Sequence, residues 1–252
     1  EIGVWPWPRS LHADLLDRLM DSGVEDVAFD IDFSSTADPW GDAMFTAALE
    51  RAGGYARLAA FGQDSGGDVV FSRPLPEFAA QADPVLVNVL LDPTTGRVHS
   101  LPASASDDLG SVPSLALALA RPDIDVPPVI EIDMSIDVSS MPRLSYTDVL
   151  YGRFDPADLA GKQVIVGAGA IELRDFFQVP LHGVITGPMV QALALETLKS
   201  GRILTHLGHL PGLIVTAALA LLMLLRRPSN LTLTGLTLVA CTLAAEALAL
   251  YA

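Results

Sequence analysis

The residues of this 252-residue chain best suited to chemistry are carboxylates. Asp30-x-Asp32 closes the hydrophobic run from Val24 to Phe33. An acid pair at the carboxyl end of a strand lies where open α/β sheets place ligands and metals. A metal-dependent phosphohydrolase would use such a pair as nucleophile and acid/base with magnesium. The turn that follows, Phe33-Ser34-Ser35-Thr36, and the absence of later lysine and acidic motifs speak against that chemistry. Two other uses are open to the pair: hydrogen bonding to loop amides at the sheet edge, and ligand or metal binding. Asp175 lies in a loop eight residues beyond Gly167 and could face the same edge as Asp30 and Asp32. Three acids converging there would make a site for a divalent cation or an amine.

Other motifs are weaker. Gly167-Ala168-Gly169 follows a hydrophobic run ending at Val166, as a dinucleotide loop would, but Glu172 stands where the third glycine belongs. A tight strand-to-loop turn is the simpler reading. Gly161-Lys162 precedes that strand and is followed by Gln163, so there is no phosphate-loop lysine. Of the five histidines, His12, His99, His182, His206 and His209, only His206-x-x-His209 has metal-ligand spacing. That pair borders an apolar segment, where polar rings are ordinary interfacial residues. No serine lies in a nucleophile-elbow context. The single cysteine, Cys241, excludes an intramolecular disulfide and a cysteine-based zinc site. Trp5-Pro6-Trp7-Pro8 is a stiff stretch expected to pack on the folded domain or at a membrane surface.

Charge is segregated along the chain. Half of the residues are hydrophobic, yet the formal net charge is −15. From residue 210 onward the only formal charges are Arg226, Arg227 and Glu246. An acidic head therefore precedes an apolar tail. The acidity suits solubility, and the lack of basic clusters argues against nucleic acid as a partner. In the tail, residues 207–225 and 231–251 are each near the ~20 apolar residues that cross a bilayer. Two transmembrane helices are expected, joined by a turn at 226–230, with 1–206 as the head. Arg226 and Arg227 favour a cytoplasmic turn, but Lys199 and Arg202 on the other side nearly balance them. Glu246, the one acid in a span, is expected to reach the interface or to pair with a further helix. Two spans return the chain to the side of the head, so a further span is expected after Ala252. The start at Glu1 suggests a piece of a longer or processed protein.

The head must position the acids, and its pattern is α/β. A helix capped by Ser10 is expected to run to about Ser22, and one capped by Asp38 from Pro39 to Ala52. Strands are expected at Val24–Phe33, Tyr55–Phe61, Val85–Leu91 and Gln163–Gly167, with a returning strand at Arg97–Leu101 after the turn at Asp92–Gly96. Ile130–Ile132 and Val138 suggest short strands. Helices are expected at Ser114–Ala120, Ser145–Tyr151 and Thr186–Ser200. Alternating strands and helices imply a mostly parallel sheet flanked by helices, with an antiparallel edge hairpin near residue 92.

The ordered motifs resemble a known family. Trp5-Pro6-Trp7-Pro8-Arg9-Ser10 before a helix, and FDIDFS at Phe29–Ser34, are similar to CHASE domains of the second type. These are cyclase- and histidine-kinase-associated sensory extracellular domains. The resemblance continues through Asp42, Ala47-Ala48-Leu49, Asp92-x-x-x-Gly96-x-Val98, Pro113-Ser114-Leu115-Ala116, Gly161 to Ala168, Ile171 to Asp175, Val179-Pro180 and the helix from Gly187 to Gly201. Gly169-Ala170 departs from the Thr-Ala expected in that loop. The resemblance implies an extracytoplasmic, non-catalytic sensor in a bacterial inner membrane. It implies a membrane helix before Glu1, three spans after the head, and a cytoplasmic output module. Family outputs include adenylyl cyclases, histidine kinases, serine/threonine kinases, and cyclic-di-GMP enzymes with GGDEF and EAL modules; the wording here is most like the last. The expected partners are the lipid bilayer, an extracellular or periplasmic small molecule, and a second copy in a homodimer. The rival readings are the tethered phosphohydrolase and a purely structural dimerisation domain.

Overall fold

The computed structural model describes residues 3, 5–65, 68–122, 125–167, 169, 175–202, 204, 212, 214–218 and 235. The chain divides into two compact units, Glu1–Leu204 and Thr205–Ala252.

The first unit is built on a mixed sheet. Strands β1 (Asp26–Asp30), β2 (Ala56–Ser65), β3 (Asp68–Ser72), β4 (Asp83–Leu86) and, far along the chain, β10 (Gln163–Gly167) form it. β10, β1, β2 and β4 are mutually parallel, and β3 returns antiparallel along the outer half of β2. Parallel strands need both faces covered, because the crossover helices lie on those faces. Alternation along β1 shows this: Val27 and Phe29 enter one core, and Ala28 enters the other. The first core is closed by α1 (Arg9–Asp21), α2 (Pro39–Ala52) and Phe78 of the short α3 (Pro76–Ala79). Phe29, Phe33, Phe45 and Phe78 are fully buried there, with neighbouring ring centroids 4.7 to 6.2 Å apart. The second core lies under α4 (Leu115–Ala120) and α6 (Gly187–Lys199), where the small Ala28 and Ala59 meet Val190, Leu193 and Ala194.

Three small antiparallel sheets surround this layer. They are β5 (Leu90–Leu91), β6 (Val98–Pro102) and β9 (Val129–Glu131); β7 (Ser104–Asp107) with β8 (Gly110–Pro113); and β11 (Phe176–Val179) with β12 (Gly183–Thr186). The hairpin near residue 92 is therefore real, but it belongs to the three-stranded β5-β6-β9 sheet. The antiparallel edge of the main sheet is β3. The single strand expected over Val85–Leu91 is two strands in different sheets. Asn88 marks the break: its side chain donates to Gly62 O and accepts from Gly62 N, both at 2.7 Å, standing in for strand backbone. Leu90 and Leu91 then emerge exposed. Val138 opens a 3-10 turn (Val138–Ser140), with Asp137 accepting from Ser139 N at 2.9 Å.

The helices follow their period closely. α2 is capped as expected, Asp38 accepting from Gly41 N at 2.7 Å. α1 instead starts at Arg9 after Pro8, with no side-chain cap from Ser10. α5 (Tyr146–Leu150) packs its Val149 into the first core. Trp5 and Trp7 pack on the domain: Trp7 lies 4.7 Å from the Tyr146 ring and 5.4 Å from Trp5.

In the second unit, residues 214–218 are helical, and Thr216 Oγ1 donates to Gly212 O at 2.7 Å. Among the described residues no helix is long and apolar enough to cross a membrane. The expected spans 207–225 and 231–251, with Glu246, Cys241, His206 and His209, lie almost wholly outside the described residues.

Candidate functional site

The carboxyl ends of β1 and β10 meet the amino end of α6. The register pairs Asp30, the last residue of β1, with Gly167, the last of β10. Asp30 shares the face of Ala28, by strand alternation, and so points toward α6. Gly167 is held close to that helix. A β-carbon there would collide with the ring of Pro188 and press on the β-carbon of Asp30 at 3.2 Å. Gly167 thus serves close packing of a helix on a strand, as expected of a tight turn. Beyond it, Ala168 and residues 170–174 lie outside the described residues.

Asp175 enters from the other side. It precedes β11, accepts from Gly187 N through its backbone oxygen at 3.0 Å, and lays its carboxylate against the Cα of Gly187. A β-carbon at Gly187 would collide with both carboxylate oxygens. The first turn of α6, Gly187-Pro188, is therefore clamped between Asp175 and Gly167.

The electrostatics are unusual for two aspartates. Burial pushes the Asp30 carboxyl up to about 7, and the nearby charge of Asp175 adds to the effect. Asp175 is also raised by burial; the Gly187 backbone N–H pulls the other way and loses. The positive end of α6 favours carboxylates, yet desolvation outweighs it. Among the described residues no basic side chain forms an ion pair with either acid.

Asp32 does not join them. β1 ends at Asp30, so the alternation that would put residues 30 and 32 on one face stops there. Asp32 is exposed, and its Oδ1 accepts from Ser34 N at 2.8 Å in a local turn. Its charge is felt by Arg9, on the opposite core. The structure thus brings together two of the three expected acids. Among the described residues no group of three or more His, Cys, Asp or Glu side chains could hold a metal ion. His99, isolated in sequence, pairs with Glu131 at 3.0 Å and Asp92 at 3.5 Å.

Two polar centres escaped the sequence reading. Arg9 is 7% exposed, pairs with Asp42 at 3.3 Å, and lies 5.2 and 5.0 Å from the ring centroids of Phe33 and Phe78. Arg9 also donates to Ser35 O, and Asp42 accepts from Ala37 N at 3.1 Å. Together they fasten the loop after Phe33 to α1 and α2. At the far end of the head, Asp133 accepts from Arg202 at 3.0 Å, and its backbone N donates to Thr197 Oγ1 of α6 at 2.9 Å. Only contact across the chain creates either centre, and no local spacing signals it.

A family model described as the CHASE2 domain matches residues 1–226. No curated protein and no solved structure matches the chain.

Proposed function

The chain belongs to the CHASE2 domain family, a family of sensory extracellular domains, and on that premise we propose that it is the extracytoplasmic sensor of a bacterial transmembrane receptor. A stimulus at the head is passed through membrane helices to a cytoplasmic output module. The residues at 207–225 and 231–251 supply two of the spans that follow the head, and the bilayer is the inner membrane. The output is a diguanylate cyclase or a cyclic-di-GMP phosphodiesterase, and two heads act as a homodimer.

The observation that carries this reading is the construction of α6. It is the last element of the head. Its Val190, Leu193, Ala194 and Leu198 are buried in the second core. Its first turn is clamped at the sheet edge, and its far end is tied to the β9 loop through Thr197 and the Asp133–Arg202 pair. A rearrangement at the sheet edge therefore shifts a rigid rod whose C-terminal end leads to the apolar tail. A ligand moves such a rod only if it binds the two arrangements with different affinity. Deleting residues 1–200 from the full receptor, followed by assay of its output against a panel of stimuli, tests this. Loss of the response is expected; an unchanged response would sink the reading.

A further inference from the structure

We infer that His99 is a proton-operated clasp: charged, it joins the β5–β6 turn to β9 and so couples the two chain segments that grip α6; neutral, it lets the turn go. The inference rests on the sensor reading for its consequence, because only a domain outside the cell meets the external pH.

His99 lies on β6, and its two ring nitrogens face carboxylates from two neighbouring segments. Nδ1 is 3.0 Å from Glu131 Oε2 on β9, and Nε2 is 3.5 Å from Asp92 Oδ2, just after β5. A neutral imidazole carries a single N–H, and its other nitrogen presents a lone pair that a carboxylate repels. Only the imidazolium, with two donors, satisfies both sides. Asp92 is built to stay charged. Its Oδ1 accepts from Thr95 N at 2.7 Å and Thr94 N at 2.8 Å, which leaves Oδ2 for the ring. Those amides hold the Asp92 carboxyl below its usual range, well clear of the span in which histidines change charge. Among the described residues, Asp92 and Glu131 are the charged groups that face the ring. β11, which packs along β6, brings Phe176 to Val179 and no titratable side chain.

Both carboxylates sit on segments that hold α6. On the Asp92 side, β5 is two residues long and its pairing with β6 is irregular between Leu90 and Leu91. Just before it, Val87 O accepts from the buried Gln191 Nε2 of α6 at 2.8 Å. On the Glu131 side, Asp133 bonds Thr197 of α6 and Arg202 beyond it. His99 therefore ties the grip at Gln191 to the grip at Thr197. The Gln191 grip is the weaker, because its Oε1 is buried without a hydrogen-bond partner and carries the cost of an unmet acceptor. The sign follows. Acid charges the ring and closes the clasp. Alkali neutralises it, and the ring keeps its one N–H for the nearer Glu131. Asp92 is released to its threonine amides, β5 loosens, and the hold of Val87 on α6 loosens with it.

Hydrogen–deuterium exchange of the full chain in lipid nanodiscs tests this, with rates corrected for the intrinsic effect of pH. Residues 90–97 and the α6 segment around Gln191 are expected to exchange about two- to fivefold faster at pH 8 than at pH 5, the scale of a partly exposed ion pair. His99→Gln should make both segments indifferent to pH. Asp92→Asn, which keeps the Oδ1 acceptor for the threonine amides, should do the same and serves as the second route if the first variant folds poorly. Wild-type exchange that ignores pH overturns the clasp, and so does a transition that survives in His99→Gln. Asp30, whose carboxyl is pushed up to about 7 near the start of α6, is untouched in that variant, so a transition of its making would survive there. Opening confined to residues 90–97, with α6 unmoved, overturns the coupling to α6. Output of the full receptor at the two pH values separates this inference from the sensor reading. Exchange that follows pH while output does not removes the clasp from signalling; the receptor stands or falls on the deletion of residues 1–200.

Discussion

Arg9 is a buried cation with one carboxylate partner and two aromatic faces. Removing one member of a buried pair costs more than the pair is worth, because the other charge is stranded. Arg9→Ala is expected to lose about 3–5 kcal/mol in urea denaturation, whereas an exposed pair such as Arg51–Asp17 should lose under about 1 kcal/mol. His12 gives a second prediction. It is buried among Phe29, Phe33 and Phe45, its Nδ1 3.0 Å from the Tyr146 hydroxyl. Burial, helped by the charge of Arg9, depresses it to about 4 from an ordinary 6.5. Below pH 6.5 the unfolded chain takes up a proton that the folded chain refuses, so this contribution to stability is lost as pH falls toward 4. Asp30 has the opposite slope. From 3.8 to about 7 the folded chain holds a proton that the unfolded chain has released, so stability falls as pH rises. The two nearly cancel between pH 4 and 6.5 in the intact protein. A melting-temperature profile of His12→Leu should therefore decline steadily from pH 4 to 7, and that of Asp30→Asn should climb to 6.5. Parallel profiles for both variants would refute the assignment.

Elements differ in how far the sequence disclosed them. α2 was legible to the residue because its cap, its proline at the first position and its terminal Gly53 are all local signals. Asp38→Ala should cost about 1 kcal/mol by loss of that cap. β1 and β10 were legible because strands covered on both faces read as hydrophobic runs. The division of Val85–Leu91 was not, since the run stays apolar through a change of sheet. What ends β4 is the side chain of Asn88 bonding Gly62, a partner 26 residues away. The β11-β12 hairpin was also missed; its turn places Leu181 at φ 62, without a signature turn dipeptide. The start of α6 affords a test of packing. Gly187→Ala forces a β-carbon onto the Asp175 carboxylate and should cost about 1–3 kcal/mol. Because the clash is with that side chain, Gly187→Ala with Asp175→Ala should lose less than the sum of the two, with a coupling of roughly 0.5–3 kcal/mol.

At the scale of the whole molecule, the head is an α/β layer whose last helix is held at both ends by groups distant in sequence. The Asp133–Arg202 pair should matter for transmission more than for folding, because the Arg202 side chain is 64% exposed. Arg202→Gln is expected to leave the melting temperature of the full chain nearly unchanged and to weaken the coupling of stimulus to output; full retention of the response would count against a rigid α6. The sequence by itself determined what depends on local composition and period: the acidic head and apolar tail, the α/β class, most helices, the buried strands, and membership of a sensory family through an ordered set of motifs. Tertiary structure alone decided which acids meet. Asp30 and Asp32 are two residues apart and separate where β1 ends, while Asp30 and Asp175 are far apart in the chain and converge on one helix terminus. Spacing along a chain fixes the face of a side chain only while the strand lasts. What lies opposite that face is settled by the packing of β10 and α6 against it.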